Sequence, residues 1–259
     1  MRLTFLDNSA PPGNSSPTMI KLRPSNARGH TQIAWLDSRH TFSFGDYYDP
    51  ENESFGSLRV INEDFVKAGM GFGTHGHRDM EIVTFVVEGA IEHKDSLGNS
   101  STIYPGESQM MSAGTGIRHS EFNPIKNKES HFLQIWIVPR NKNLPPRYDQ
   151  KKFFVENNKE TFFLIASEHP SPTSVQVDQK IEIWALKSLQ SDGQKTLNVE
   201  KDQSVWIHNI MNRPPLKVTP QGEETFTLNP GDSCAITECL EVHLEWSQGA
   251  ESLIFLQKT

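Results

Sequence analysis

The sequence predicts an all-β protein in which a β-barrel or double-sheet jelly roll occurs twice along the chain. Strand-sized apolar runs broken by Gly, Pro and Asn turns fill most of the 259 residues. Helical periodicity is scarce. The turn Tyr104-Pro105-Gly106-Glu107 returns in the second half as Asn229-Pro230-Gly231-Asp232, which suggests an internal repeat.

Residues 1–18, rich in Pro, Ser, Asn and Gly, read as a flexible N-terminal extension, with Met19 as an alternative translation start. Residues 19–140 form the first expected domain, with strands at 57–61, 81–87, 90–94, 101–104, 109–112 and 131–138. The turns between them are Glu88-Gly89, Ser96-Leu97-Gly98-Asn99 and Pro105-Gly106. A proline-rich stretch of mixed charge, 141–152, reads as a linker. The second domain, 153–259, has strands expected at 161–166, 175–185, 196–199, 205–210, 224–228, 240–246 and 252–256. One or two helical turns are expected, near 64–68 or 145–151.

A formal net charge of −7 with 22% charged residues argues against a broad nucleic-acid surface, and the longest apolar runs, such as 82–87, are too short to span a bilayer. The first twenty residues lack a continuous apolar region and contain Pro11, Pro12 and Pro17, unlike a secretory signal. Cys234 and Cys239 have neither metal-type CxxC spacing nor the even spacing that shares a strand face. A reducing cytoplasm is the expected location.

Two pairs of residues carry the chemistry: His75 and His77 in THGHRDME, and His119 and Glu121 in GTGIRHSE. Alternate side chains of a strand share a face, so each i, i+2 pair can point one way. Two such strands facing each other would set three imidazoles and a carboxylate around one point, a donor set suited to Fe, Mn, Co, Ni or Zn. Glu81, four residues after His77, is an alternative carboxylate, or an acceptor that fixes an imidazole tautomer. The other histidines carry plainer expectations. His30 and His40 pack or cap around Trp35, His93 lies on the surface or pocket rim, and His131 is solvated. His169, His208 and His243 are scattered, which leaves the second half metal-free. No GxSxG elbow, Walker A loop or GxGxxG fingerprint is present.

The segments RGHTQIAWLDSRHTFSFGDYYDP (28–50), LRVINEDFVKAGMGFGTHGHRDMEIVTFVVEGAIEHKDSLGN (58–99), MMSAGTGIRHSEFNP (110–124) and RYDQKKF (147–153) resemble the pirin family of the cupin superfamily, with bacterial pirin-like quercetin 2,3-dioxygenases nearest. Gly69 matches the glycine six residues before the first histidine of the general cupin motif. Ser112, where a proline is usual, and the four residues between Gly114 and His119 depart from the general second motif as pirins do. Gly76 stands where family members often carry proline.

The resemblance implies a bicupin, two double-stranded β-helix barrels face to face, with metal in the N-terminal barrel alone. It implies His75, His77, His119 and Glu121 as ligands and favours Glu121 over Glu81. The implied metal is one divalent transition ion, Fe(II) foremost, with Mn, Co, Ni, Zn or Cu as alternatives. The implied activity is opening of a flavonol such as quercetin, or another small enol, with O2 and release of CO. Glu121 would accept the substrate's hydroxyl proton, and Phe72, Phe85, Met110, Met111 or Phe122 are candidates to stack on a flat ring, though each reads first as an ordinary core residue. A monomer with no direct nucleic-acid or membrane partner is expected. The alternative is a non-enzymatic, metal- or redox-responsive pirin-type regulator that binds a protein partner.

Overall fold

The computed structural model describes residues 17–155 and 160–258. Most of the extension expected at 1–18 therefore lies outside the described residues. The chain opens with β1 (Met19–Arg23), a 3-10 turn (Ser25–Ala27), β2 (Gly29–Gln32), β3 (Leu36–His40) and β4 (Leu58–Val66). There follow β5 (Gly71–His77), β6 (Glu81–Glu88), β7 (Ile91–Asp95), β8 (Ser100–Ile103) and β9 (Glu107–Ser112). Then come β10 (Ile117–Phe122), β11 (Ser130–Ile137) and β12 (Arg147–Lys152). The second half holds β13 (Phe162–Ser167), β14 (Val175–Gln176), β15 (Ile181–Ser188), β16 (Gly193–Asn198) and β17 (Gln203–Asn209). It ends with β18 (Leu216–Pro220), β19 (Phe226–Leu228), β20 (Ser233–Thr237), β21 (Glu241–Trp246) and β22 (Ala250–Lys258).

Each half pairs a seven-stranded sheet with a four-stranded one. The first has β12-β9-β6-β11-β4-β3-β2 with β5-β10-β7-β8; the second has β1-β20-β17-β22-β15-β13-β14 with β16-β21-β18-β19. The repeated turn occupies equivalent places, between β8 and β9 and between β19 and β20. Gly106 and Gly231 there take φ of +89° and +81°, a region glycine enters without steric cost. In each turn the acidic residue accepts a bond from the backbone amide three residues earlier: Glu107 from Tyr104 and Asp232 from Asn229, both at 2.9 Å. The chain is a bicupin.

The two large sheets pack on each other, which explains why their central strands read as apolar runs rather than alternating ones. In β6, Val83, Phe85 and Val87 face the core shared by the two sheets, while Ile82 and Val86 face the barrel interior. In β22, Leu253 and Phe255 face the shared core, and Ile254 and Leu256 the second barrel. Phe42 and Trp206 meet across this core with ring centroids 5.0 Å apart. Each fully buried Phe or Leu contributes about 1.5–3 kcal/mol, so this shared layer is the main bond between the halves.

Several expectations change. The helical turns at 64–68 and 145–151 are absent, since β4 and β12 take up most of those residues. The segment 141–152 carries β12, which pairs with β9 from Arg147↔Ser112 to Lys152↔Glu107. The run 175–185 divides into β14 and β15. Met19–Arg23 crosses to the other half and pairs with β20, Met19 opposite Thr237. No helix among the described residues is long and apolar enough to cross a membrane.

Candidate metal centre

Strands β5 and β10 bring the two sequence pairs together. They are antiparallel, with Ile117 opposite His77, His119 opposite His75 and Glu121 opposite Phe72. The register slips by one residue between the last two pairs, a bulge at Gly73 and Thr74. Gly71 makes the approach possible: a Cβ there would stand 2.2 Å from the Glu121 carbonyl oxygen. The bulge also aims the Gly73 carbonyl at the His75 ring, which donates to it from Nδ1 at 2.8 Å. That bond leaves the His75 Nε2 lone pair free. On β10, Ile117, His119 and Glu121 are buried while Arg118 and Phe122 are exposed.

The three imidazoles converge through one type of atom. His119 Nε2 lies 3.0 Å from His77 Nε2 and 3.1 Å from His75 Nε2. Two nitrogens at right angles about a common first-row ion, each about 2.1 Å from it, stand about 3.0 Å apart. The observed spacing fits such a centre. Glu121 does not join that triangle; it groups with His119 and with His93. Its carboxylate accepts a close bond from the Gln134 amide and one of 3.4 Å from Thr84 Oγ1.

The electrostatics keep two of the rings, His77 and His119, neutral. Burial, followed by the neighbouring histidines, pushes His119 down to about 2. Burial, then His75, pushes His77 down to about 4. Neutral imidazole is the form that binds metal. Burial pushes Glu121 up to about 7, against the Gln134 bond, and Asp64 adds repulsion. A divalent cation would reverse that penalty by supplying the missing positive charge.

Glu81 takes no part. Asp79 adopts φ +47° after β5 ends, and the chain passes into the other sheet. Glu81 there accepts from Ser112 Oγ at 2.5 Å and from Arg147 Nη2 and the Asp178 amide at 3.3 Å. Phe85 and Met110 belong to the core shared by the two large sheets, not to the centre, and Phe122 is exposed. Met111 does line the barrel, with Ile82, Ile117 and Trp136. Trp136 meets His77 edge-on with centroids 4.8 Å apart.

Two histidines expected at the surface are buried. His131 bonds to Glu63 Oε1 at 2.9 Å. His93 has no exposed side-chain surface; its Nε2 is 3.1 Å from Asp95 Oδ2, and its ring packs on Tyr148 at 4.9 Å. His208 is also buried, 3.0 Å from Glu63 Oε2. His93-Lys94-Asp95 has the same i, i+2 spacing as the two pairs singled out in the sequence, so its signal was present there too.

Two barrels with a three-histidine cluster inside the first define a cupin with a metal-type centre. The comparisons with known proteins say which one. The Pirin family model matches residues 21–137, and the model described as quercetinase C-terminal cupin domain matches 164–255. Quercetin 2,3-dioxygenase of Escherichia coli (strain K12) is 43% identical over 239 residues, covering 92% of this chain and 98% of the relative. The crystal structure of bacterial pirin YhhW in complex with nickel(II), from Escherichia coli, superposes with a TM-score of 0.82 at 40% identity. It covers 93% of this chain and 99% of that one. A quercetin 2,3-dioxygenase from Acinetobacter baumannii shares the fold at 19% identity, with a TM-score of 0.71 over 92% of this chain and 79% of that one. The chain belongs to the pirin family.

Proposed function

We propose that this protein is a metal-dependent dioxygenase that opens flavonols such as quercetin with O2, releasing CO and leaving a depside. The convergence of three Nε2 atoms at 3.0 and 3.1 Å carries the reading; the name of the Escherichia coli relative, quercetin 2,3-dioxygenase, supplies the substrate class. His75, His77 and His119 would hold a divalent transition metal with Glu121, Fe(II) foremost among the first-row ions this donor set accepts. When bound, the ion supplies Lewis acidity that favours the anionic form of the flavonol 3-oxygen.

The chain's own residues do the rest. Glu121 takes the 3-hydroxyl proton. Its Oε2 is engaged by Gln134, whereas Oε1 has only the 3.4 Å contact to Thr84, so Oε1 is the accepting oxygen. Trp136, half-buried and edge-on to His77, offers the apolar face beside the centre against which a flat ring can lie, with the buried Met111 and Ile82 packed behind it. Two free, buried thiols, Cys234 and Cys239, suit a reducing compartment, and each barrel covers the other's apolar face, so we place a monomer in the cytoplasm.

The test is oxygen uptake with quercetin by metal-stripped protein reloaded with Fe(II), Mn(II), Co(II) or Ni(II), with His119→Ala as control. Uptake matched by flavonol loss and CO release, absent in the variant, is expected. Full metal occupancy with no uptake on any metal would overturn the dioxygenase reading in favour of the regulator.

A further inference from the structure

We propose that His93 and Asp95 are positioning residues that set the tautomer and ring orientation of His119; this rests on the reading of His119 as a metal ligand. The two lie on one face of β7, and the β7–β10 register sets Asp95 opposite His119 and His93 opposite Glu121. A chain of polar contacts runs inward. Asp95 Oδ1 accepts the amides of Leu97 at 2.9 Å and Asn99 at 3.0 Å, and Oδ2 accepts Asn99 Nδ2 at 2.8 Å. Those donors lock the carboxylate with Oδ2 toward His93 Nε2, 3.1 Å away. A carboxylate accepts only, so the His93 proton sits on Nε2.

The His93 Nδ1 lone pair then faces His119 Nδ1 at 3.5 Å. Two lone pairs facing each other repel, so the His119 proton belongs on Nδ1. Its Nε2 is thereby left as a lone pair among the nitrogens of His75 and His77. At 3.5 Å the contact is long, so it acts on orientation more than as a strong bond. The Tyr148 ring lies against His93, and its hydroxyl is held by Ser101 and Gln150, so the relay ring cannot swing away. His75 has its tautomer set by a backbone carbonyl; for His119 the same duty falls to a side-chain pair.

The experiment titrates Co(II) into the metal-stripped full chain against a competing chelator and records the visible Co(II) spectrum. Asp95→Asn is isosteric: its oxygen keeps the two backbone amides while its NH2 turns to His93, and the Asn99 amide, now facing a donor, turns its oxygen toward it. That moves the His93 proton to Nδ1, against the His119 proton. Affinity should fall about 10–100-fold, with a changed spectrum. His93→Phe keeps a ring against Tyr148 and should lose as much, whereas His93→Gln, which restores an acceptor, should recover most of it. Matching apo circular dichroism and unfolding midpoints show that each variant folds, and if Asp95→Asn fails there, the two His93 variants decide. Affinity within about twofold of the parent in Asp95→Asn or His93→Phe, while His119→Ala loses Co(II), would overturn the relay and leave the metal centre standing. Equal, weak binding by the parent and His119→Ala would instead remove the metal centre, and the relay with it.

Discussion

Glu63→Gln should cost about 3–5 kcal/mol of folding stability at neutral pH, the range for breaking a buried pair from one side. Glu63 sits fully buried where the two halves meet. It accepts from Arg28 Nη1 at 3.0 Å, His131 Nε2 at 2.9 Å, His208 Nε2 at 3.0 Å and the Met211 amide at 2.7 Å. A glutamine oxygen can keep two of these donors. His208 can adapt, because Ser233 Oγ lies 2.8 Å from its Nδ1 and serves either tautomer. Arg28 cannot: its guanidinium has no exposed side-chain surface and would keep only the carbonyls of Gly231 and Arg39.

For a chain of this size the deficit is roughly 6–20 °C in Tm, at about 2–4 °C per kcal/mol. Urea unfolding of the metal-free protein, followed by tryptophan fluorescence, measures it. Burial opposes the charge on Glu63, but bonds from His131 and His208 and the charge of Arg28 hold its carboxyl well below the usual range. Its contribution is therefore complete above its unfolded pKa and is lost only as pH falls through the depressed folded value. The deficit should stay constant between about pH 6 and 8 and narrow in acid. Arg28→Met added to Glu63→Gln should recover part of the loss, since no buried charge then lacks its partner. A single variant within about 1 kcal/mol of the parent, or a double variant less stable than the single, would refute the reasoning.

Burial, with repulsion from Glu63, pushes Asp64 up to about 7 against a bond from Ser38. Its favourable contribution is complete below its unfolded pKa and is lost as pH rises through the folded value. Asp64→Asn should gain about 2–3 kcal/mol over the parent between pH 5 and 8.5; a pH-independent difference in urea midpoints would contradict this. In Gly71→Ala the new methyl would meet backbone, 2.2 Å from the Glu121 carbonyl oxygen and 2.5 Å from Phe122 Cα. It should cost about 1–3 kcal/mol and weaken Co(II) binding, because the strands carrying His75 and His119 must separate. Burial raises the Cys234 thiol, so it should resist an aromatic disulfide reagent in native protein and react in full in urea; rapid native labelling of Cys234 would count against the packing.

The convergence of His75, His77 and His119 was legible because i, i+2 spacing on strands is a local rule; Glu121 obeys the same rule on β10 yet groups with His93 and His119 rather than with the triangle. The central strands were legible for the same kind of reason, as runs such as 82–87 are apolar on both faces at every position but Thr84. What escaped was decided by partners distant in sequence. β12, with its charged RYDQKK sequence, is an edge strand whose pairing with β9 no local pattern announces. His131 looked like a surface residue, and His208 like a scattered one without a role, because their partner, Glu63, is 68 and 145 positions away. Glu81 was misdirected by one residue, Asp79, whose positive φ ends the strand on which Glu81 would have faced the histidines.

The crossing of β1 onto β20 has a consequence for synthesis. The first described strand emerges from the ribosome more than two hundred residues before its partner, Met19 against Thr237. The barrel that carries the histidines has its strands β2 to β12 complete by residue 152, so it can close while β1 still waits. A nascent chain halted between the halves would display both an orphan strand and the bare apolar face of β6, β11 and β4. A chain terminated there would leave exposed the apolar layer that the second half otherwise covers.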